Sequence, residues 1–142
     1  MKLLKNLFLL TAIALLAVFT LTSCGGGSDP ASLWENAEYL EDTELGEGTL
    51  TIELEVKVED RSVTFTIHTD AATLGEALLE NELVDGEMGA YGLYIKTVNG
   101  MTADYDVDAS YWSLTKGGEY LMSGADTTDI TDGEHYELVW TK

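Results

Sequence analysis

Alternation is the clearest pattern in the chain. Leu50, Ile52, Leu54, Val56 and Val58 interleave with Thr51, Glu53, Glu55 and Lys57, the period of two that marks a strand buried on one face. After the short polar Glu59-Asp60-Arg61, the residues Val63, Phe65 and Ile67 resume the alternation, so the two runs predict a β-hairpin that ends near His68. The period then changes. Thr73 stands three residues before Glu76, the spacing of a capping box, and Leu74, Ala77, Leu78 and Leu83 fall at helical intervals, which predicts one helix of about ten residues. A hairpin alone leaves its apolar face wet, and this helix is the element that covers it.

Past the turn-rich Asp85-Gly86-Glu87-Met88-Gly89, the run Leu93 to Val98 predicts a strand. It stops at Asn99-Gly100, the dipeptide suited to a type I′ turn. Tyr111 to Thr115 and Glu119 to Met122 read as strands joined through Lys116-Gly117-Gly118, and Tyr136 to Thr141 closes the sheet after Asp132-Gly133. The expected fold over residues 49–142 is α+β, a β-grasp-like, mainly antiparallel sheet packed on one helix. An all-β sandwich is the alternative.

The beginning of the chain has a different character. Lys2 and Lys5 precede a run from Leu7 to Leu21 in which every residue is apolar or Thr, the layout of an export signal rather than of a spanning helix, which needs about 20 apolar residues. The run ends in Leu21-Thr22-Ser23-Cys24, which resembles the lipobox of bacterial lipoproteins. The resemblance implies a signal peptide over 1–23, cleavage before Cys24 and lipidation of its thiol, and it places the protein on the outer face of the cell membrane. Lipid chains gain about 0.8 kcal/mol per buried methylene, so such an anchor needs no transmembrane helix. Gly25-Gly26-Gly27-Ser28-Asp29-Pro30 and the acidic stretch from Glu35 to Glu47 then read as a flexible linker over 24–48, with Trp34, Tyr39 and Leu40 as its candidates for docking.

Charge narrows the function. With 26 Asp+Glu against 7 Lys+Arg in 142 residues, the net charge is −19, so the chain is one acidic domain that phosphate backbones and anionic lipid surfaces repel. One Cys excludes an internal disulfide and a Cys-rich zinc site. His68 and His135 are the two histidines, neither inside a catalytic motif, and there is no Gly-x-Ser-x-Gly elbow, so no enzyme is expected. Asp104, Asp106 and Asp108 match the first ligand positions of a calcium loop, but Ala109 and Thr115 stand where its Gly and bidentate Glu belong. A weak Ca²⁺ site and a solvated acidic loop are the two readings of that segment. The glycines form no phosphate-binding pattern.

Aromatic residues gather in the second half, as Tyr91, Tyr94, Tyr105, Tyr111, Trp112, Tyr120, Tyr136 and Trp140. In Tyr111-Trp112 the two rings take opposite faces of a strand, so one of them is exposed unless a ligand or partner covers it.

The blocks Tyr91-Gly92-Leu93-Tyr94-Ile95-Lys96-Thr97-Val98-Asn99-Gly100-Met101, Tyr111-Trp112-Ser113-Leu114, Leu121-Met122-Ser123-Gly124-Ala125-Asp126 and Asp132-Gly133-Glu134-His135-Tyr136-Glu137-Leu138 occur in that order. Together with the Thr73-Leu74-Gly75-Glu76 helix start they resemble the C-terminal β-domain of the cobalamin carriers transcobalamin and intrinsic factor, and the transcobalamin C-terminal-like domain of Gram-positive lipoproteins. The resemblance implies that the chain binds cobalamin or another corrinoid as a ligand, with no cofactor required. It places Tyr94, Tyr111, Trp112, Leu114, Leu121 and Met122 nearest the macrocycle. Ser113 stands where the carriers have Gln, and the carriers' helical barrel has no counterpart in this sequence, so a second protein, or a transporter that receives the ligand, is implied for the other face. The alternative is a cell-surface module that binds a protein or a glycan.

Overall fold

The computed structural model describes residues 29–142. The run read as an export signal and Cys24 lie outside the described residues. Among the described residues no helix is long and apolar enough to cross a membrane.

The first hairpin forms as its alternation dictates. Strands β2 (Leu50–Val58) and β3 (Arg61–Thr69) pair antiparallel in full register, from Leu50 opposite Thr69 to Val58 opposite Arg61. Ile52, Leu54, Val56, Val58, Val63, Phe65 and Ile67 share the buried face. Burying such side chains contributes roughly 1.5–3 kcal/mol each, and this row is the centre of the core.

Two parallel junctions make the large sheet mixed, where a mainly antiparallel one was expected. β1 (Thr43–Gly46) runs parallel to β3, and β9 (His135–Thr141) runs parallel to β2, with Glu53 opposite His135. β7 (Tyr111–Lys116) pairs antiparallel with β9, and β8 (Glu119–Tyr120) with β7, so the six-stranded order is β1-β3-β2-β9-β7-β8. The fold is mostly β, with short helices at the rim. Parallel neighbours are distant in sequence, so local patterning does not announce them.

Helix α2 (Leu74–Glu80) starts where the capping signal puts it. The Glu76 amide donates to Thr73 Oγ1 at 3.3 Å, and the Ala72 amide donates to the Glu76 carboxylate at 3.1 Å. Leu74, Ala77 and Leu78 turn into the core. The helix ends at seven residues rather than about ten, because Asn81 caps it and its side chain donates to Ala77 O at 2.8 Å. Gly75 is required by packing, since a Cβ there would lie 2.8 Å from the backbone of Asp126.

The Asp85–Gly89 segment is a strand and not a turn. β4 (Val84–Gly89) pairs with β5 (Gly92–Val98), which pairs with β6 (Met101–Thr102), giving a separate three-stranded antiparallel sheet. A register shift between Asp85 and Gly86 marks a bulge, and a Cβ on Gly86 would meet Tyr94 O at 2.0 Å. Asn99 and Gly100 form the expected tight turn, with φ of 51° and 78°.

The acidic stretch expected as a flexible linker is docked from Asp29 onward. Asp29 caps α1 (Pro30–Glu35), Pro30 occupies its first turn, and Leu33 and Trp34 are buried, with the Arg61 guanidinium 4.4 Å over the Trp34 ring. Buried Asn99 then clasps the following residues. Its Oδ1 accepts from the Tyr39 amide and its Nδ2 donates to Tyr39 O, both at 2.9 Å, while Tyr39 packs edge-on against Phe65 at 5.4 Å. Asp42 accepts from the Thr64 amide at 2.8 Å and leads into β1. A few long-range contacts hold this segment, and no amphipathic period is needed.

Glu134 fastens β9 to β7. Burial opposes its charge, but Lys116 at 2.6 Å, the Tyr136 hydroxyl and the Thr131 amide at 2.9 Å all donate to it and hold its pKa at about 2. The Tyr136 hydroxyl is raised in turn, first by burial and then by the adjacent Glu134 carboxylate.

Candidate functional site

Where the small sheet meets β7, a cleft of about 560 Å³ opens. Glu87 comes from β4, Tyr94 and Lys96 from β5, Tyr111 from β7, and Asp104, Tyr105 and Asp106 from helix α3 (Tyr105–Asp108) and its cap. Alternation along β5 sends Tyr94 and Lys96 to the cleft while Ile95 between them turns into the core. Asp104 is the N-cap of α3 and accepts from the Asp106 amide at 3.0 Å. Ala109, in the left-handed region with φ 62°, donates its amide to Tyr105 O and returns the chain to β7. This single turn carries Tyr105 to the mouth, 59% exposed, with its ring 6.4 Å from that of Tyr111 at 59°.

Three tyrosine rings thus line the cleft, and its rim carries charge. Lys96 Nζ lies 3.5 Å from the Glu87 carboxylate, and Asp104 and Asp106 stand beside the rings. Such a surface offers flat apolar faces for stacking, with acceptors at the edges for ligand N–H groups. It holds no nucleophile paired with a base, and neither histidine lines it.

The structure divides the candidate ligand residues. Tyr94 and Tyr111 line the cleft, whereas Trp112 is 7% exposed and faces the core. Its indole donates to Lys96 O at 3.2 Å, and the same carbonyl accepts from the Ala103 amide, so Trp112 props the cleft wall from behind. Of the two adjacent aromatics, Tyr111 is therefore the outward one. Leu114 and Leu121 pack against the core, joined by a 3.1 Å hydrogen bond from the Leu121 amide to Leu114 O. Met122 is 100% exposed and lies beyond β8, where a continued strand was expected. None of these three lines the cleft.

The structure gives two of the three aspartates of the acidic loop local partners. Asp104 serves as a helix cap, and Asp108 accepts from the Ser110 amide and hydroxyl and lies 3.8 Å from Lys142 Nζ. Among the described residues no three His, Cys, Asp or Glu side chains are grouped to hold a metal ion. The histidines sit on the polar face of the large sheet. His68 meets Glu44 at 2.5 Å, and His135 meets Glu53 at 3.1 Å and Glu137 at 3.5 Å.

Glu87 and Lys96 are the cleft residues that sequence reasoning missed. Lys96 stands two positions from Tyr94 on one strand, and that spacing was the available signal. Glu87 had none, because its strand is hidden among turn residues.

Residues 71–142 match the family described as Domain of unknown function (DUF4430). The chain belongs to that family. This DUF4430 chain is also 40% identical to a protein from Ruminococcus gnavus ATCC 29149 described as a candidate metal-binding protein, with a TM-score of 0.63 over 66% of this chain and 98% of that one. It is 38% identical to human transcobalamin-1 over 56 residues, 39% of this chain and 13% of the relative's length. Haptocorrin in complex with Cbi shares its fold, with a TM-score of 0.55 at 21% identity over 69% of this chain and 26% of that one. The DUF4430 chain therefore carries a transcobalamin-like domain and spans a small part of the length of transcobalamin-1 and of haptocorrin.

Proposed function

We propose that this protein is a lipid-anchored, extracellular and non-enzymatic ligand-binding domain whose Tyr94–Tyr105–Tyr111 cleft receives one face of a corrinoid such as cobalamin. One observation carries the reading: three tyrosines from separate elements line a single open cleft on a fold shared with haptocorrin, which was solved with Cbi bound. The rings supply apolar contact to the macrocycle, and Glu87, Asp104 and Asp106 accept hydrogen bonds from its side-chain amides. A second protein covers the opposite face, because the cleft is open on that side. Cys24 carries the lipid and holds the domain at the outer face of the membrane. The β-grasp likeness is part of the same proposal, supported by a hairpin, a helix and a closing strand parallel to the first.

The test is a calorimetric titration of the full chain in detergent with cobalamin and cobinamide, beside Tyr111→Ala. Saturable binding that weakens at least about tenfold in the variant supports the reading, and no heat up to about 1 mM ligand, weaker than about −4 kcal/mol, removes it. A second reading, a module that docks another surface protein or a glycan, draws on Tyr91 at the β4–β5 tip, 99% exposed, and on Met122. A stable complex formed without any corrinoid favours it.

A further inference from the structure

We infer that the cleft selects among corrinoids by charge, preferring side chains that end in amides and rejecting those that end in carboxylates. The inference rests on the corrinoid reading above and adds what the rim does. Three carboxylates, Glu87, Asp104 and Asp106, face the cleft with one ammonium, Lys96. Lys96 lies 3.5 Å from Glu87, so its charge is already balanced within the rim and the acidic excess falls on the α3 side. The Asp104 carboxylate accepts an amide hydrogen from Asp106, which fixes it at the start of α3 beside the rings. Over the whole chain the charge of −19 adds a field of the same sign.

A planar ligand lying on Tyr94, Tyr105 and Tyr111 brings its peripheral groups onto this rim. Amide N–H groups meet acceptors there, whereas carboxylates place anion against anion with a single cation in reach. Stacking is indifferent to this difference, so the rings supply affinity and the rim supplies discrimination.

The experiment compares ligands with one macrocycle and different edges: cobinamide with amide side chains, cobalamin with one added phosphodiester, and cobyrinic acid with carboxylates in place of the amides. Titrations use the full chain in detergent at about 0.02 M and about 0.5 M NaCl, where screening lengths differ several-fold. The expected order is cobinamide, then cobalamin, then cobyrinic acid. At low salt the first and last differ at least about tenfold, and the gap narrows at high salt. In the double variant Glu87→Gln/Asp106→Asn, whose altered side chains are exposed, the preference drops below about threefold, with cobinamide bound more weakly and cobyrinic acid more tightly than by the wild type. Equal affinity for cobinamide and cobyrinic acid, or a preference unchanged by salt and by the double variant, overturns the inference and leaves the corrinoid reading standing. Absence of binding by all three ligands overturns both.

Discussion

Replacing Glu134 by Gln removes a charge that three donors are arranged to hold. The Glu134 side chain is 17% exposed and receives Lys116 Nζ at 2.6 Å, the Tyr136 hydroxyl and the Thr131 amide. A glutamine keeps one carbonyl acceptor and turns the other position into a donor that faces donors. The distance between the ordinary value of 4.5 and about 2 corresponds to a ceiling of about 3 kcal/mol at neutral pH. Lys116 is 43% exposed, and screening there reduces the expected loss to about 1–2 kcal/mol. The sign follows from the lowered pKa: the stabilisation is complete above pH 4.5 and is lost as pH falls toward about 2. Urea unfolding of the wild type and Glu134→Gln between pH 7 and pH 3 measures it. The wild type is more stable at pH 7, and the difference falls by about half or more by pH 3. A difference that is constant across this range refutes the electrostatic account, because a packing defect does not titrate. No difference at pH 7 refutes it as well.

Trp112→Ala destabilises the fold by about 3–5 kcal/mol, seen in chemical denaturation, because the indole is core, whereas Tyr111→Ala leaves the melting curve within about 1 kcal/mol of wild type and weakens corrinoid binding. Asn99→Ala loses both clasps on Tyr39 and places a Cβ-bearing residue without a local hydrogen bond at φ 51°, so a loss of about 2–3 kcal/mol is expected, with faster proteolysis near residues 36–42 as the accompanying sign. Cys24→Ser moves the protein out of the membrane fraction, read by fractionating the cells and blotting; unchanged membrane retention contradicts the lipid anchor.

Local chemistry made the first hairpin, the Thr73 cap and the Asn99-Gly100 turn legible, because each is written in one continuous stretch of the chain. The parallel pairing of β9 with β2 was not legible: Glu53 and His135 meet across most of the domain, and no period encodes a partner that far away. Docking of residues 29–48 was hidden for a related reason. Trp34 and Tyr39 follow no strand or helix period, and the groups that receive them, Arg61, Phe65 and Asn99, belong to other parts of the fold. β4 was concealed by Gly86 and Gly89, which serve a bulge and a hairpin end yet carry the composition of a loop.

The site was legible in part. Alternation required Tyr111 and Trp112 to face opposite ways but left open which ring was outward, since both β7 neighbours and the small sheet decide it. The three aspartates were visible as a group, whereas the use of Asp104 to cap a one-turn helix and of Asp108 to hold Ser110 depends on backbone geometry. Lys96 and Glu87 join the cleft only after β4 and β5 pair.

The most direct test of the central claim is an NMR titration of the isotopically labelled full chain in detergent with cobinamide, mapping shift changes onto the fold. The account predicts saturable changes at Tyr94, Lys96, Tyr105 and Tyr111, with Trp112 responding through its bond to Lys96 O. Changes centred instead on Leu121 and Met122, or none up to about 1 mM ligand, contradict it.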